Sequence, residues 1–321
     1  ADSAYVNGHF VGNITYQYPP RIYNIPAGIL KEGINNVTVR VISNGGQPSF
    51  VPEKPYKVVC ADKEISLEGE WKYRLGTVMP PAPSMMFFHY KPVCLYNAMI
   101  HPLKRLSFSG VLWYQGESNA HNVELFETQF PALVSSWRRA WNDDTLPFHF
   151  VQLSSIARPS WPHFRDVQRR LAEELPHCEM AVSSDHGDSL DVHPRHKRPI
   201  GERLARIALH HDYGYNALTP SGPAIRSAHA EGHTLVLTFD HAEGMTSADG
   251  AALRTFEIAG DHGLYYPADK VVVKGNTIRL QSKQVKHPTR SRYGWQPFTR
   301  ANLVNSDGLP ASTFEVCAEK E

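Results

Sequence analysis

The sequence lacks long apolar runs, paired cysteines and an excess of charge of one sign, and each absence excludes a class of protein. Its apolar runs are far shorter than the roughly 18–20 residues of a membrane helix, so we expect no membrane span. The 33 Lys and Arg residues nearly balance the 32 Asp and Glu residues, which argues against a nucleic-acid partner. The four cysteines form no CxxC pair, so we predict no metal site and, for most of them, buried free thiols: Cys60, Cys94, Cys178 and Cys317.

The first 75 residues or so carry β signals. Asn7 and Gly8 form a hairpin turn between two apolar stretches. Two further stretches alternate as strands do: 36–41 and 69–74. The prolines of 79–92 then indicate an irregular linker. We therefore predict a β-sandwich domain with its linker over residues 1–88.

Strands and helices alternate in the middle of the chain, which predicts an α/β domain with a parallel sheet over residues 89–215. The predicted strands are 109–114, 148–153 and 180–182. The predicted helices are 123–141, 163–175 and 197–211. β signals return at 234–239 and 270–273, so residues 216–321 are predicted to form a second, antiparallel β-sandwich.

The stretch 111–119 passes from apolar residues to a polar cluster within a few positions. Such a change delivers polar groups to the carboxyl end of a sheet strand, where α/β proteins bind ligands. The amides of Gln115 and Asn119 are suited to donate hydrogen bonds to an oxyanion, and Glu117 could orient a neighbouring donor. Gly116 permits close approach of the backbone N–H to a ligand.

Ser118 stands where a strand–turn–helix nucleophile would stand. Such a turn needs a helix that begins at the serine, whereas helical spacing begins only after Asn122. We therefore treat Ser118 as an alternative nucleophile and not as the leading one.

A second polar loop carries a histidine preceded by three acids. His193 is the candidate general base, and such a base needs a carboxylate to hold its other ring nitrogen. Asp191 can lie beside it, because side chains two residues apart point the same way in an extended segment. Asp188 and Asp185 could reach His193 only if the loop folds back, and both stay open as alternatives.

Three segments in and near these loops resemble sialate O-acetylesterases, which belong to the SGNH (GDSL-like) hydrolases: 95–103, 113–119 and 191–197. The tail resembles the end of the same family: 292–297 and 301–311. The resemblance implies an SGNH-type parallel sheet, here incomplete, and places 1–75 within a β domain inserted in the hydrolase domain. It also implies an ester hydrolase without a cofactor, acting on an O-acetylated sugar or glycan.

The resemblance assigns His193 as the base, Gln115 as the leading oxyanion donor, and Asn97 as a residue that faces the site. Many SGNH enzymes carry the acid three residues before the histidine, where this sequence has Leu190. The family nucleophile stands in a Gly-Gln-Ser-Asn block, which this sequence lacks. We therefore expect that a first segment, or a second chain, supplies the serine, and that this chain alone has little esterase activity.

Four further expectations concern the sheet edge, an alternative function, a carboxylate ligand and the location. Without its first strand, the sheet should expose an unpaired edge and apolar surface. A non-catalytic carbohydrate-binding or scaffold protein is the alternative function, with aromatic side chains as sugar contacts: Trp113, Tyr114, Trp161, Tyr293 and Trp295. A sialic acid carboxylate would need a cation, for which the candidates are Arg158, Arg165 and Arg195. The family implies a periplasmic or secreted location.

Overall fold

A computed structural model describes residues 1–17, 19–52, 54–60, 63–80, 87 and 91–319. The chain divides into two compact units, Ala1–Cys94 and Leu95–Glu321. The three-domain division at 88 and 215 stays a prediction. Of the predicted linker 79–92, residues 81–86 and 88–90 lie outside the described residues.

The first unit contains an antiparallel sheet and a small hairpin. Asn7 and Gly8 turn the chain between β1 and β2 with φ of 49° and 82°, which confirms the predicted Asn-Gly turn. Ala4 and Val6 are buried on one face of the central strand. The sheet has the order β2-β1-β3, and β4 pairs with β5. The strands are Asp2–Val6 (β1), His9–Ile14 (β2), Val37–Val41 (β3), Lys57–Cys60 (β4) and Lys63–Ser66 (β5).

The prediction of a strand over 69–74 is wrong, because these residues form no strand. The Trp71 indole N–H instead donates to the Leu67 carbonyl at 3.0 Å, and its ring lies 5.3 Å from that of Phe50. Tyr73 is 95% exposed. Alternating residues form a strand only where a neighbouring strand pairs with them, and here the aromatic contacts are local.

The second unit begins with a short π-helical turn, Tyr96–Ile100, and a 3₁₀ turn, His101–Arg105. A parallel sheet follows, with the order β6-β7-β8. Its strands are Val111–Trp113 (β6), Phe148–Val151 (β7) and Met180–Ala181 (β8). The helices are Val123–Trp141 (α1), Trp161–Glu174 (α2) and Arg198–His211 (α3). The alternation predicted for this region is confirmed, and the bounds of α1 agree with those read from the sequence.

Helices cover both faces of this sheet. On one face, Phe148 and Phe150 pack with α1 and α2, through buried residues such as Phe130 and Phe164. On the other face, Val151 and Ala181 pack against Ile200, Leu204 and Ile207 of α3. The side chain of Asn122 caps the start of α1 by accepting the Leu125 amide at 3.1 Å.

The first strand of the sheet is less covered than its neighbour. All four residues of β7 are buried, whereas in β6 Val111 is 8% exposed and Leu112 is 59% exposed. Leu112 is exposed because α3 packs on β7 and β8. β6 forms one edge of the sheet, with exposed apolar side chains in the segment before it, among them Leu106 and Phe108.

Two four-stranded antiparallel sheets share one apolar core in the rest of the unit. One has the order β14-β15-β10-β9 and the other β13-β12-β16-β18, while β11 pairs with β17. Leu235 and Ile278 of the first sheet face Phe256 and Phe314 of the second within this core. The strands are Ala224–Glu231 (β9), Thr234–Asp240 (β10), Thr246–Ser247 (β11), Phe256–Ala259 (β12), Tyr266–Pro267 (β13), Lys270–Lys274 (β14), Thr277–Gln281 (β15), Arg290–Tyr293 (β16), Leu303–Val304 (β17) and Phe314–Cys317 (β18).

The cysteines are free thiols, but most are not buried. Cys178 is buried and Cys94 is partly buried, whereas Cys60 and Cys317 are exposed. The predicted burial is wrong for these two, because each is the last residue of a strand at a sheet edge. Among the described residues, no helix is both long and apolar enough to cross a membrane.

Candidate active site

Polar residues follow each strand of the parallel sheet. Gln115 comes after β6, Ser154 and Ser155 after β7, and Ser183 and Ser184 after β8. Because carboxyl ends of parallel strands share one edge of a sheet, these residues line the edge at which such folds bind ligands. Both polar loops predicted from the sequence, 115–119 and 185–193, begin at this edge.

The first loop is held by its own side chains. The Gln115 amide Nε2 donates to Oδ1 of Asn119 at 2.6 Å, so the two candidate oxyanion donors contact each other. Oε2 of Glu117 accepts the amide N–H of Gly116 at 3.1 Å. The Gly116 carbonyl in turn accepts the amides of Asn119 and Ala120 at 2.8 and 3.0 Å. The loop is therefore a closed turn that presents amide and carboxylate groups.

Gly116 is required by packing as well as by backbone shape. A Cβ atom there would lie 2.8 Å from Cε1 of Phe164, a buried residue of α2. Its φ of 152° lies in a region that residues with a side chain rarely adopt. The sequence predicted a close approach of the backbone at Gly116, and the group that it meets in this structure is a core phenylalanine.

Ser118 is exposed within the turn, and α1 begins only at Val123. The serine is therefore not at the start of a helix, as a strand–turn–helix nucleophile would be. This geometry agrees with the reading of Ser118 as a loop residue.

In the second loop the structure brings Asp191 and His193 together. Oδ1 of Asp191 lies 3.3 Å from Nδ1 of His193 and accepts the His193 backbone amide at 3.0 Å. The Asp191 side chain is 12% exposed and the His193 side chain 53% exposed. A shielded carboxylate on Nδ1 fixes the imidazole so that Nε2 is the nitrogen that exchanges a proton.

The other two acids have different partners. Asp185 forms two hydrogen bonds with the guanidinium of Arg203, at 2.7 and 2.6 Å. Oδ1 of Asp188 accepts the amides of Leu190 and Asp191 at 2.8 and 3.0 Å. Of the three acids left open by the sequence, Asp191 is thus the one that contacts the histidine, while the others hold the loop. The catalytic roles themselves stay predictions.

A glycine ties this loop to the sheet. A Cβ atom at Gly187 would lie 2.0 Å from the Ser155 carbonyl oxygen and 2.5 Å from its nitrogen. The Ala157 amide also donates to the Ser189 carbonyl at 3.1 Å. The loop therefore rests against the backbone that follows β7. This contact fixes the position of the segment that leads to Asp191 and His193.

Sequence reasoning missed Lys197, which contacts Tyr114 near the site. Nζ of Lys197 lies 4.5 Å from the centroid of the Tyr114 ring. Burial lowers the pKa of Lys197, and the Glu117 carboxylate acts in the opposite direction. Burial also raises the pKa of the Tyr114 phenol. The signal in the sequence was a lysine four residues after His193, at the cap of α3.

The remaining candidates are spread more widely. Asn97 is exposed in the π-helical turn before β6. Arg165 is fully buried and bonds to Thr313 and to three carbonyls, so its proposed role as a carboxylate ligand is replaced by a structural one. Arg158 and Arg195 are exposed. Within the described part of the chain, no group of three or more His, Cys, Asp or Glu side chains could hold a metal ion.

These residues define the class of protein. It is an α/β protein with a histidine–carboxylate pair and an amide-bearing loop at the carboxyl edge of a parallel sheet. A family model described as a carbohydrate esterase, sialic acid-specific acetylesterase, matches residues 84–210. This region of the chain is therefore similar to a family of carboxylic ester hydrolases.

Curated relatives and a solved structure show the same similarity. The chain is 32% identical to sialate O-acetylesterase of Rattus norvegicus over 65% of this chain and 41% of that protein. It is 36% identical to the Homo sapiens enzyme over 68% of this chain and 48% of that protein. A carbohydrate acetylesterase from Xanthomonas citri superimposes with a TM-score of 0.65 at 37% identity, over 69% of this chain and 53% of that one. The chain thus spans about half the length of these relatives or less.

Proposed function

We propose that this chain carries the base, its carboxylate partner and the oxyanion loop of an ester hydrolase that removes O-acetyl groups from sialic acid or a related acetylated sugar. The observation that supports this most directly is the contact of His193 with Asp191 at 3.3 Å, in a segment that the family model covers. The similarity to sialate O-acetylesterases and to a carbohydrate acetylesterase supports the substrate class. A periplasmic or secreted location belongs to the same proposal.

In the proposed mechanism His193 acts as the general base. The Asp191 carboxylate accepts Nδ1–H and stabilises the imidazolium, and Nε2 takes the proton of the attacking hydroxyl group. The imidazolium then delivers this proton to the leaving sugar oxygen, and the acetyl group stays on the attacking oxygen. Water, activated by Nε2 in the same way, releases it as acetate. The exposed position of His193 suits a base that must reach a substrate from solvent, whereas Asp191 is shielded and held by the loop.

Gln115 is the proposed oxyanion donor. One of its Nε2–H groups is bonded to Asn119, and this bond orients the amide so that the second N–H can point at a developing negative charge. Glu117 already accepts the Gly116 amide, which makes the side-chain amides better candidates than this backbone N–H.

The nucleophile is proposed to come from a polypeptide segment other than residues 1–321, either of the same protein or of a second chain. The sequence contains no Gly-Gln-Ser-Asn block, and Ser118 lies exposed before the helix. The open edge of β6, with Leu112 59% exposed, offers a place where such a segment could pair with the sheet.

Hydrolysis of p-nitrophenyl acetate by the chain alone tests the position of the nucleophile. We expect a rate close to the uncatalysed one, and the same rate for His193→Ala. Strong hydrolysis that is lost in His193→Ala would contradict the missing-nucleophile proposal. Loss of that hydrolysis in Ser118→Ala would then assign the nucleophile to Ser118.

Complementation tests the esterase function itself. The chain would be produced together with the part of the Xanthomonas citri acetylesterase that lies outside the matched region, and acetate release from O-acetylated sialic acid would be measured. We expect activity that falls at least about 100-fold in His193→Ala, in line with the usual contribution of a general base. A stable complex without activity would reject the proposal.

The alternative is a non-catalytic carbohydrate-binding or scaffold protein, which the absent Gly-Gln-Ser-Asn block favours. Of its proposed aromatic contacts, three are core residues with 2%, 1% and 7% exposure: Trp161, Tyr293 and Trp295. Trp113 and Tyr114 are partly buried. An inactive complex that binds the acetylated sugar in a calorimetric titration would support this alternative.

A further inference from the structure

Arg203 of α3 binds the end of a sheet strand and the start of the second loop with a single guanidinium group. Nη1 donates to the Val182 carbonyl at 2.6 Å, and Nη1 and Nη2 donate to the two carboxylate oxygens of Asp185 at 2.7 and 2.6 Å. We propose that Arg203 is a positioning residue that closes the base of this loop and thereby holds the Asp191–His193 pair in place. This role rests on the proposed esterase function, because it fixes the position of the proposed base.

The Arg203 side chain is held where it can make these bonds. It is 12% exposed and the Asp185 side chain is 30% exposed, so both groups are partly shielded from water. Ile200 and Ile207 lie three residues before and four residues after Arg203, and both are buried in the core between α3 and the sheet. Two hydrogen bonds between a guanidinium and a carboxylate also fix the relative orientation of the groups, which a single bond would not do.

Arg203 brings the two ends of the second loop together. The segment that begins at Asp185 runs through His193 to Lys197, the N-cap of α3. Arg203 lies only about 8 Å along the helix axis from the first residue of α3, at the usual rise of roughly 1.5 Å per residue. A loop whose ends are held close together has fewer conformations open to it than one with a free end. The bonds to Asp185 therefore restrict the whole segment between them and α3.

Hydrogen bonds within the loop continue this restraint from Asp185 to the histidine. Oδ1 of Asp188 accepts the amides of Leu190 and Asp191 at 2.8 and 3.0 Å. Oδ1 of Asp191 accepts the His193 amide at 3.0 Å and lies 3.3 Å from Nδ1 of its ring. A displacement at the start of the loop would therefore reach the carboxylate that holds the imidazole.

His193 depends on such support, because 53% of its side chain is exposed and neighbouring atoms restrain only part of it. A general base must keep its accepting nitrogen directed at the hydroxyl group whose proton it takes. A displacement of about 1 Å in such a group can cost about 100-fold in rate. Arg203 acts on the proposed reaction through Asp185 and the loop, and not through contact with the substrate.

Amide hydrogen exchange of the full chain, followed by NMR, tests this role without any turnover. The readout is the exchange rate of the Asp191 and His193 amides divided by that of the Phe150 amide, which donates to the Glu179 carbonyl within the sheet at 2.9 Å. In Arg203→Met we expect this ratio to rise at least about tenfold, because the loop opens while the sheet stays closed. A general loss of stability would also raise the Phe150 rate and would not produce this rise.

Two milder variants keep the test decisive if Arg203→Met folds poorly. Asp185→Asn preserves the size of the side chain and removes its charge, so the ratio should rise by a smaller factor, at least about threefold. Arg203→Lys keeps the positive charge without the two-pronged geometry, and its ratio should lie between those of the native chain and Arg203→Met.

Arg138→Met is the matched control. Arg138 is also a buried arginine that donates to backbone carbonyls, those of Leu146 and Pro176 at 3.1 and 2.7 Å, but these precede β7 and β8 at the opposite end of the sheet. Its replacement should lower the stability of the chain without raising the ratio. The ring signals of His193, identified with His193→Ala, should shift in Arg203→Met and stay in place in Arg138→Met.

A ratio that is unchanged in a folded Arg203→Met or Asp185→Asn variant would overturn the inference, as would an equal rise in Arg138→Met. None of these measurements depends on a nucleophile. An inactive complemented complex would therefore reject the esterase proposal and leave this result readable.

Discussion

The two polar loops at the carboxyl edge of the sheet are stabilised in opposite ways. In the 115–119 loop the candidate functional groups hold one another, through Gln115 with Asn119 and Glu117 with Gly116. In the 185–193 loop, two of the acids bind Arg203 and backbone amides, and this leaves Asp191 for the histidine. The three acids of one loop thus divide into two that hold the loop and one that contacts the histidine.

Both loops also depend on a glycine packed against the core, but the obstacles differ. Gly187 lies against the backbone of Ser155, which cannot move without the strand that precedes it. Gly116 lies against the ring of Phe164, which can turn by a small amount. Alanine at Gly187 should therefore destabilise the chain more than alanine at Gly116.

The largest effect is expected for Gly187→Ala. The added methyl group would lie 2.0 Å from a backbone oxygen, so the loop must detach, at a cost of about 3 kcal/mol or more in the free energy of unfolding. Urea unfolding measures this loss. Gly201→Ala is the control, because Gly201 lies in α3 with nothing within 4 Å of the new atom.

We expect the control to unfold at the same urea concentration as the native chain or a slightly higher one, since alanine is the better helix former. A Gly187→Ala variant as stable as native would show that the second loop is not anchored at Ser155. The contrast between the loops would then need another cause.

Gly116→Ala should cost less, about 1–3 kcal/mol, since part of the strain is relieved by a shift of the Phe164 ring. The control is Gly232→Ala, which has a positive φ of 59° but no atom within 4 Å of the added carbon. If both variants lose the same stability, backbone strain alone accounts for Gly116 and the packing argument is wrong. A larger loss at Gly116 is expected from the contact with Phe164 together with its more restricted φ of 152°.

Much of this region could be predicted from the sequence, because its elements depend on local patterns. Helix α1 was predicted with its observed bounds, since apolar spacing and the Asn122 cap are both local signals. The contact of Asp191 with His193 followed from a spacing of two residues. What could not be predicted depends on distant residues: the exposure of Leu112, the burial of Arg165 by the chain near Thr313, and the Lys197–Tyr114 contact.

The strand wrongly predicted over 69–74 has the same explanation. Its alternation was real, but an alternating segment becomes a strand only with a neighbour, and strand pairing joins residues that no sequence window contains. Asp185 and Asp188 were likewise indistinguishable from Asp191 by residue type, because what separates them is the position of Arg203 and the shape of the turn.

The smallest expected effect concerns the other end of the sheet and tests whether the loops dominate the pH dependence of stability. Burial and the nearby Asp212 raise the pKa of Glu179, which precedes β8, to about 7 from its usual 4.5. The folded state therefore holds a proton that the unfolded chain releases, and stability should fall as the pH rises from about 4.5 to about 7. Because the side chain is 40% exposed, solvent screening limits the change to roughly 1 kcal/mol or less.

Glu179→Gln should flatten the stability curve over this range in urea unfolding at several pH values, with Glu202→Gln on the exposed face of α3 as control. If the slope instead persists in Glu179→Gln and disappears in Asp191→Asn, the pH dependence of folding arises in the second loop. That loop is then not merely supported by the sheet but determines the stability of the sheet.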